Sequence, residues 1–243
     1  MTIGVFYGIG IGPGDPDLIT LKAAKILSQC RTVFVPKARA TEESTALGIA
    51  GKHLHPRADI RELVFPMTMD KAKLRQSWID NAGQVAAALE SGADAAFLTL
   101  GDAMLYSTYI YLVRALRDVL PGVEIITVAG ITAFSAAAAL THFPVGTGKL
   151  PATIVPTSDD LDELRRILQR KGTKVLMKIG RRLDAILDVL EETGLLDGSL
   201  LVSRVGMDNQ RVETELRALR GRNSDVGYLS IILVPAAEEE MTS

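Results

Sequence analysis

Along the first half of the chain, short apolar runs ending in small residues alternate with segments whose apolar residues recur three and four apart. Ile3–Ile9 is the first such run and reads as a strand that gives way to glycines. Asp15-Pro16-Asp17 then reads as a helix start: Asp15 can cap, Pro16 suits the first helical position, and Asp17 complements the helix dipole. Ile19, Ala23, Ile26, Leu27 and Cys30 share one face at the helical period. Thr32–Val35 predicts a strand closed by Pro36, Ser44–Leu54 a helix, and Ile60–Phe65 a strand. Asp70–Ser91 is a long amphipathic helix stopped at Gly92. A strand Ala95–Leu100, a helix Ser107–Leu120, a strand Val123–Val128 and a small-residue helix Thr132–Thr141 follow. Repeated strand-helix units imply a parallel sheet covered on both faces.

Between Phe143 and Pro151 the pattern is broken by Pro144, Gly146 and Gly148, which sets the expected boundary between a domain of residues 1–145 and one of residues 146–243. The second half opens with strand Ala152–Val155, a charged helix Asp159–Lys171, strand Thr173–Lys178 and helix Leu183–Gly194. Leu200–Val205, Arg211–Leu219 and Tyr228–Val234 follow with no clear helix among them, which predicts a mixed sheet with antiparallel pairs. The fold class is therefore α/β in two domains: a mainly parallel N-terminal sheet flanked by helices and a mixed C-terminal sheet with helices.

Composition narrows the function classes. With 47% hydrophobic and 23% charged residues, the chain is globular. A formal charge of −2 gives no basic excess for nucleic acid. No run approaches the roughly 18 apolar residues of a membrane span, and Met1–Tyr7 reads as a strand rather than a leader, so no membrane partner and a cytoplasmic location are expected. Cys30 is the one cysteine and reads as a small core residue; Trp78, inside the long helix, also reads as core. The histidines His53, His55 and His142 match no ligand spacing, so no metal is expected. A Gly-x-Ser-x-Gly elbow is absent.

Three turns carry the candidate chemistry. Gly8-Ile9-Gly10-Ile11-Gly12-Pro13-Gly14 follows the first strand, but its register fails the dinucleotide fingerprint, and Pro13 removes a donor that a phosphate cradle would use. Gly101-Asp102-Ala103-Met104-Leu105-Tyr106-Ser107-Thr108 and Ala129-Gly130-Ile131-Thr132-Ala133 stand at the ends of later strands, the edge where open α/β sheets bind ligands. Together they suit an uncharged or zwitterionic nucleoside held by backbone groups. Taken alone, the first could be a tight strand-to-helix turn, the second a helix cap and the third close helix-sheet packing.

At these turns the sequence resembles the tetrapyrrole methyltransferases, the class III S-adenosylmethionine enzymes. The resemblance rests on Gly10-x-Gly12-Pro13-Gly14-Asp15-Pro16-Asp17-Leu18-x-Thr20-Leu21-Lys22-Ala23, on the Gly101–Thr108 loop and on the Ala129–Ala133 loop, in that order and separation. Ala103 and Ala129 stand where the family has proline. The Tyr106-Ser107-Thr108 ending, the Phe134–Ala138 run and Val202-Ser203-Arg204-Val205-Gly206 look most like enzymes that methylate C20 of precorrin-2 or cobalt-factor II in cobalamin biosynthesis. The resemblance implies two α/β domains with a cofactor cleft between them, a homodimer, S-adenosylmethionine as donor and S-adenosylhomocysteine as product. Carried over by motif, the cofactor would contact Pro13, Gly101, Asp102, Ala103, Tyr106, Thr132, Ala133, Met177, Val205 and Gly206.

Asp102, Lys178 and Tyr228 are the titratable candidates nearest the reacting carbon, and Lys37, Arg39, Arg181 and Arg182 are candidates for the carboxylates of a tetrapyrrole substrate. The alternative for each is a capped turn, a solvated cation or a ring packed on the sheet. Uroporphyrinogen III is an alternative substrate, and protein methylation on a diphthine precursor is a less favoured one. From other classes, a non-catalytic cofactor-binding module and a dinucleotide oxidoreductase compete.

Overall fold

The computed structural model describes residues 2–37, 44–222 and 226–237. Arg39, one of the substrate candidates, lies outside the described residues. The chain forms two compact units, Met1–Thr132 and Ala133–Ser243, each α/β with its own sheet.

In the first unit, strands β1 (Phe6–Gly10), β2 (Thr32–Lys37), β3 (Asp59–Val64), β4 (Ala95–Thr99) and β5 (Ile125–Val128) form a sheet in the order β3-β2-β4-β1-β5. Every pairing is parallel. Helices α1 (Leu21–Leu27), α2 (Thr45–Ala50), α3 (Lys71–Leu89) and α4 (Tyr109–Val119) make the crossovers. The long helix starts where expected because Asp70 accepts from the N–H groups of Ala72 and Lys73. The expected helix start at Asp15 is corrected: Asp15 caps only a single 3-10 turn, Pro16–Leu18, and Ile19 and Thr20 are extended. The true start is Thr20, whose hydroxyl accepts from Ala23 N–H. Strand β2 also runs through Pro36 rather than stopping before it. Its pairing with β4 ends at Phe34, so the missing proline donor leaves no gap in that ladder.

Phe6, Phe34, Phe97, Tyr109, Leu112 and Leu116 form the centre of the core where α3 and α4 cover the sheet. Gly8 has no substitute there, because a Cβ would lie 2.0 Å from the Tyr109 ring. Trp78 is half-buried and stacks on Tyr111 at 4.7 Å, tying α3 to α4.

The second unit begins with α5 (Ala133–Thr141) and continues through β6 (Ala152–Pro156), α6 (Leu161–Leu168), β7 (Thr173–Met177), α7 (Leu183–Glu192), β8 (Leu200–Ser203), β9 (Arg211–Glu213) and β10 (Ser230–Val234). The sheet order is β6-β7-β10-β8-β9; β6 and β7 are parallel, and β10 is antiparallel to both β7 and β8. Period-two alternation on β10 sorts its residues between two layers. Ile231 and Leu233 pack with Ala137 of α5, whereas Ile232 and Val234 pack with Ile186, Leu187 and Leu190 of α7. Helix α5 thus belongs to the second sheet, and the units divide after Thr132 rather than after the expected residue 145. The Pro/Gly stretch at 143–151 joins α5 to β6, while ownership of α5 is decided by what its alanines touch.

Candidate functional site

Parallel pairing sets the ends of β4, β1 and β5 side by side at one edge of the first sheet. The three candidate turns therefore meet, and they meet backbone to backbone. Ile11 N–H donates to Thr99 C=O at 3.0 Å, and Gly12 and Gly101 form an isolated bridge, with Gly101 N–H to Gly12 C=O at 2.8 Å. A Cβ on Gly10 would lie 2.7 Å from Gly130 N, and one on Gly130 would lie 2.1 Å from Gly101 O. Glycine is required at both positions by this close approach, not by loop flexibility.

Asp102 ties the turns together. Its Oδ2 accepts from Gly130 N–H at 2.9 Å and its Oδ1 from Met104 N–H at 2.8 Å. Ala103 is fully buried, and its carbonyl accepts from the Ser107 hydroxyl at 2.5 Å. Pro13 is buried in the first turn. Tyr106 has φ 51 and leaves its side chain partly exposed, beside the exposed Met104. Thr132, half-buried, closes the first unit, and Ala133, also half-buried, opens α5 of the second.

In the second unit, β7 and β8 both run antiparallel to β10, so their ends and the start of β10 share one edge. Met177 ends β7, and Lys178 follows it at φ 60. Ser203 ends β8, Arg204 follows at φ 49, and Val205 and Gly206 continue a turn in which Gly206 N–H donates to Gln210 Oε1 at 2.7 Å. Tyr228 precedes β10 rather than opening it. The Lys178 ammonium lies over the Tyr228 ring, 5.5 Å from its centroid. Non-glycine residues with positive φ are uncommon, and of the four among the described residues, Tyr106, Lys178 and Arg204 stand at these two edges.

The basic candidates are not equivalent. Lys37 is almost buried at the end of β2, where its ammonium pairs with Glu62 at 2.7 Å. Arg182 donates to Asp159 at 2.6 Å, and that bond holds the Asp159 carboxyl below its ordinary range. Arg181 is exposed on the same 3-10 turn. The structure thus gathers Pro13, Gly101, Asp102, Ala103 and Tyr106 at one edge and Met177, Lys178, Val205, Gly206 and Tyr228 at another. The first-sheet tie of Asp102 to Gly130 and the positive φ of Arg204 were missed by sequence reasoning. A polar residue directly after a strand-end glycine was the available signal for the tie; Arg204 gave none beyond its motif.

A family model for the tetrapyrrole (corrin/porphyrin) methylases matches residues 5–219. The chain belongs to that family. It is 32% identical over 231 residues to a cobalt-precorrin-2 C(20)-methyltransferase of Salmonella typhimurium, covering 95% of this chain and 96% of the relative. It is also 32% identical over 242 residues to a precorrin-2 C(20)-methyltransferase of a Sinorhizobium species, covering 96% of each. Among solved structures, a cobalt precorrin-4 methyltransferase matches with a TM-score of 0.73 and 21% identity, covering 95% of this chain and 94% of that one, a likeness of fold. This tetrapyrrole methylase therefore carries its glycine turns in the fold of its family. Among the described residues no helix is long and apolar enough to cross a membrane.

Proposed function

We propose that this methylase transfers a methyl group from S-adenosylmethionine to C20 of precorrin-2 or its cobalt-containing counterpart. The observation that carries the donor half is the meeting of Gly10, Gly101 and Gly130, which presents fixed backbone groups without a phosphate cradle. The C20 half is supported by full-length similarity to two relatives named for that position. When bound, S-adenosylmethionine supplies an electrophilic methyl on a sulfonium with a good leaving group. The residues that the family motifs assign to it are Pro13, the Gly101–Ala103 turn, Tyr106, Thr132, Ala133, Met177, Val205 and Gly206.

The protein's own task is alignment, and orientation of this kind is worth roughly 7–11 kcal/mol. Asp102 serves it by fixing the turns, since both its oxygens already accept backbone N–H groups. Transfer would form a bond between the bridge carbon and the methyl group as the methyl's bond to sulfur is lost, and a proton would then have to leave that carbon. Tyr228, exposed at the second edge, is the candidate to relay that proton.

The test is mass-spectrometric methyl transfer with precorrin-2, cobalt-factor II and uroporphyrinogen III in separate anaerobic reactions. One added methyl on a C20 substrate, placed at C20 by fragmentation, supports the proposal. Methylation of uroporphyrinogen III alone moves the enzyme to another member's reaction. Donor binding with no transfer to any tetrapyrrole, beside an active control enzyme, supports a binding module.

A further inference from the structure

Tyr109 is the first residue of α4, directly after the Gly101–Thr108 loop that follows β4. It is fully buried, and its ring lies across one row of register partners in the first sheet. Phe97 on β4, Gly8 on β1 and Thr127 on β5 stand side by side in that row. The ring stacks on Phe97 at 6.1 Å and fills the space that a Gly8 side chain would take, and the hydroxyl is hydrogen-bonded to Thr127 Oγ1 at 2.8 Å. One side chain thus meets all three strands whose ends carry the candidate turns.

Packing alone does not call for tyrosine here. A phenylalanine would fill the same space between Phe6 and Phe97, and a buried hydroxyl costs stability unless it is bonded. The partner it finds is an exposed residue of β5, a strand of four residues at the edge of the sheet. Within that sheet β5 pairs with β1 alone, so a single ladder sets its place, and the Tyr109 bond adds a second hold from the helix layer. Gly130, in the turn that β5 leads into, meets Gly10 and Gly101 so closely that no Cβ fits. A contact with so little slack responds to small shifts of β5 against β1.

We infer that Tyr109 is a positioning residue for the methyl donor: its bond to Thr127 and its seat on Gly8 set the spacing at which the turns after β1, β4 and β5 close on one another. The role rests on the reading of those turns as the donor site. Tyr109 touches no donor atom and acts through the backbone of Gly10, Gly101 and Gly130. It also gives Gly8, outside the close approach of the other glycines, its reason to lack a side chain.

The experiment is calorimetric binding of S-adenosylhomocysteine to the full chain, with thermal unfolding on the same samples, for wild type, Y109F, T127V, T127S and the Y109F/T127V double variant. Y109F and T127V are each expected to raise the Kd about three- to tenfold, the weight of one hydrogen bond. T127S keeps the hydroxyl and is expected to bind like wild type. The double variant should bind no worse than the weaker single one, because both changes remove the same bond. L116A is the comparison for stability alone. Leu116 is fully buried about two turns further along α4, so its Tm falls while donor affinity, measured well below Tm, stays at the wild-type value. Wild-type affinity in Y109F and T127V overturns the role. A loss in L116A as large as theirs also overturns it, since general loosening of the core would then be the cause. Should Y109F not fold, T127V against T127S decides, because Thr127 is exposed. No binding by wild type removes the donor reading and the role with it, whereas equal binding by wild type and every variant removes only the role of Tyr109.

Discussion

Both carboxylate oxygens of Asp102 accept backbone N–H groups, one from its own turn and one from the turn after β5. Asp102→Ala leaves the part-buried Gly130 N–H without a partner, which costs about 1–3 kcal/mol in stability, while the exposed Met104 N–H turns to water. Asp102→Asn keeps one carbonyl acceptor, so it is expected to lose about half as much while weakening donor binding less than the alanine variant. Calorimetry for binding and urea unfolding for stability check the pair; equal loss in both variants would mean the tie to Gly130 is not what the residue provides. Cys30 poses the opposite case, a nucleophile with no task. Burial pushes its thiol from an ordinary 9.0 up to about 11, and Sγ donates weakly to Thr32 and Asp94 carbonyls. Between those values the unfolded chain releases a proton that the folded chain keeps, so this contribution to stability falls as pH rises through the window. Cys30→Ala is expected to flatten the stability profile between pH 9 and 11 relative to wild type, read by urea unfolding at several pH values.

The elements show which glycines are structural necessities. Gly130→Ala places a methyl 2.1 Å from Gly101 O, so the turn after β5 must move away from the turn after β4. We expect donor affinity to fall by at least about tenfold, because the cradle is built from that contact. Gly83, inside α3 with nothing within 4 Å of a new Cβ, is the control: Gly83→Ala should stabilise the protein by about 0.5–1 kcal/mol and leave donor binding unchanged. Thermal unfolding and calorimetry on the two variants separate close approach from mere glycine content. The same scale shows what the sequence could convey. Strand and helix types were legible from apolar runs and helical period, since β4 is apolar but for Thr99 and α3 has a clear cap and stop. The start of α1 was not, because Asp15 and Thr20 are both good caps and only the extended backbone at Ile19 and Thr20 decides between them. The glycine turns were legible as a group, whereas the Asp102–Gly130 bond spans 28 positions and depends on strand order β4-β1-β5.

At the scale of the whole molecule, each unit closes its own core. Phe6, Phe97, Tyr109 and Leu116 belong to the first, and Leu176, Leu187, Leu190 and Ile232 to the second. The boundary was the least legible feature, because the Ala-rich α5 has no strong pattern of its own and its membership follows from Val175, Val202 and Ile231 beneath it. This division makes a physical prediction. Leu187 is fully buried between α7 and the second sheet, so Leu187→Ala removes apolar contact and leaves a cavity, at a cost of about 2–5 kcal/mol. Leu116→Ala, equally buried in the first unit, should cost a similar amount. Hydrogen exchange followed by mass spectrometry then distinguishes them: Leu187→Ala should accelerate exchange in β7, β8, β10 and α5, and Leu116→Ala in β1, β4 and β5. Helix α5 is the informative segment. Faster exchange there in Leu187→Ala would follow from its seat on the second sheet, while faster exchange in Leu116→Ala alone would assign it to the first unit and move the division back toward the Pro/Gly stretch.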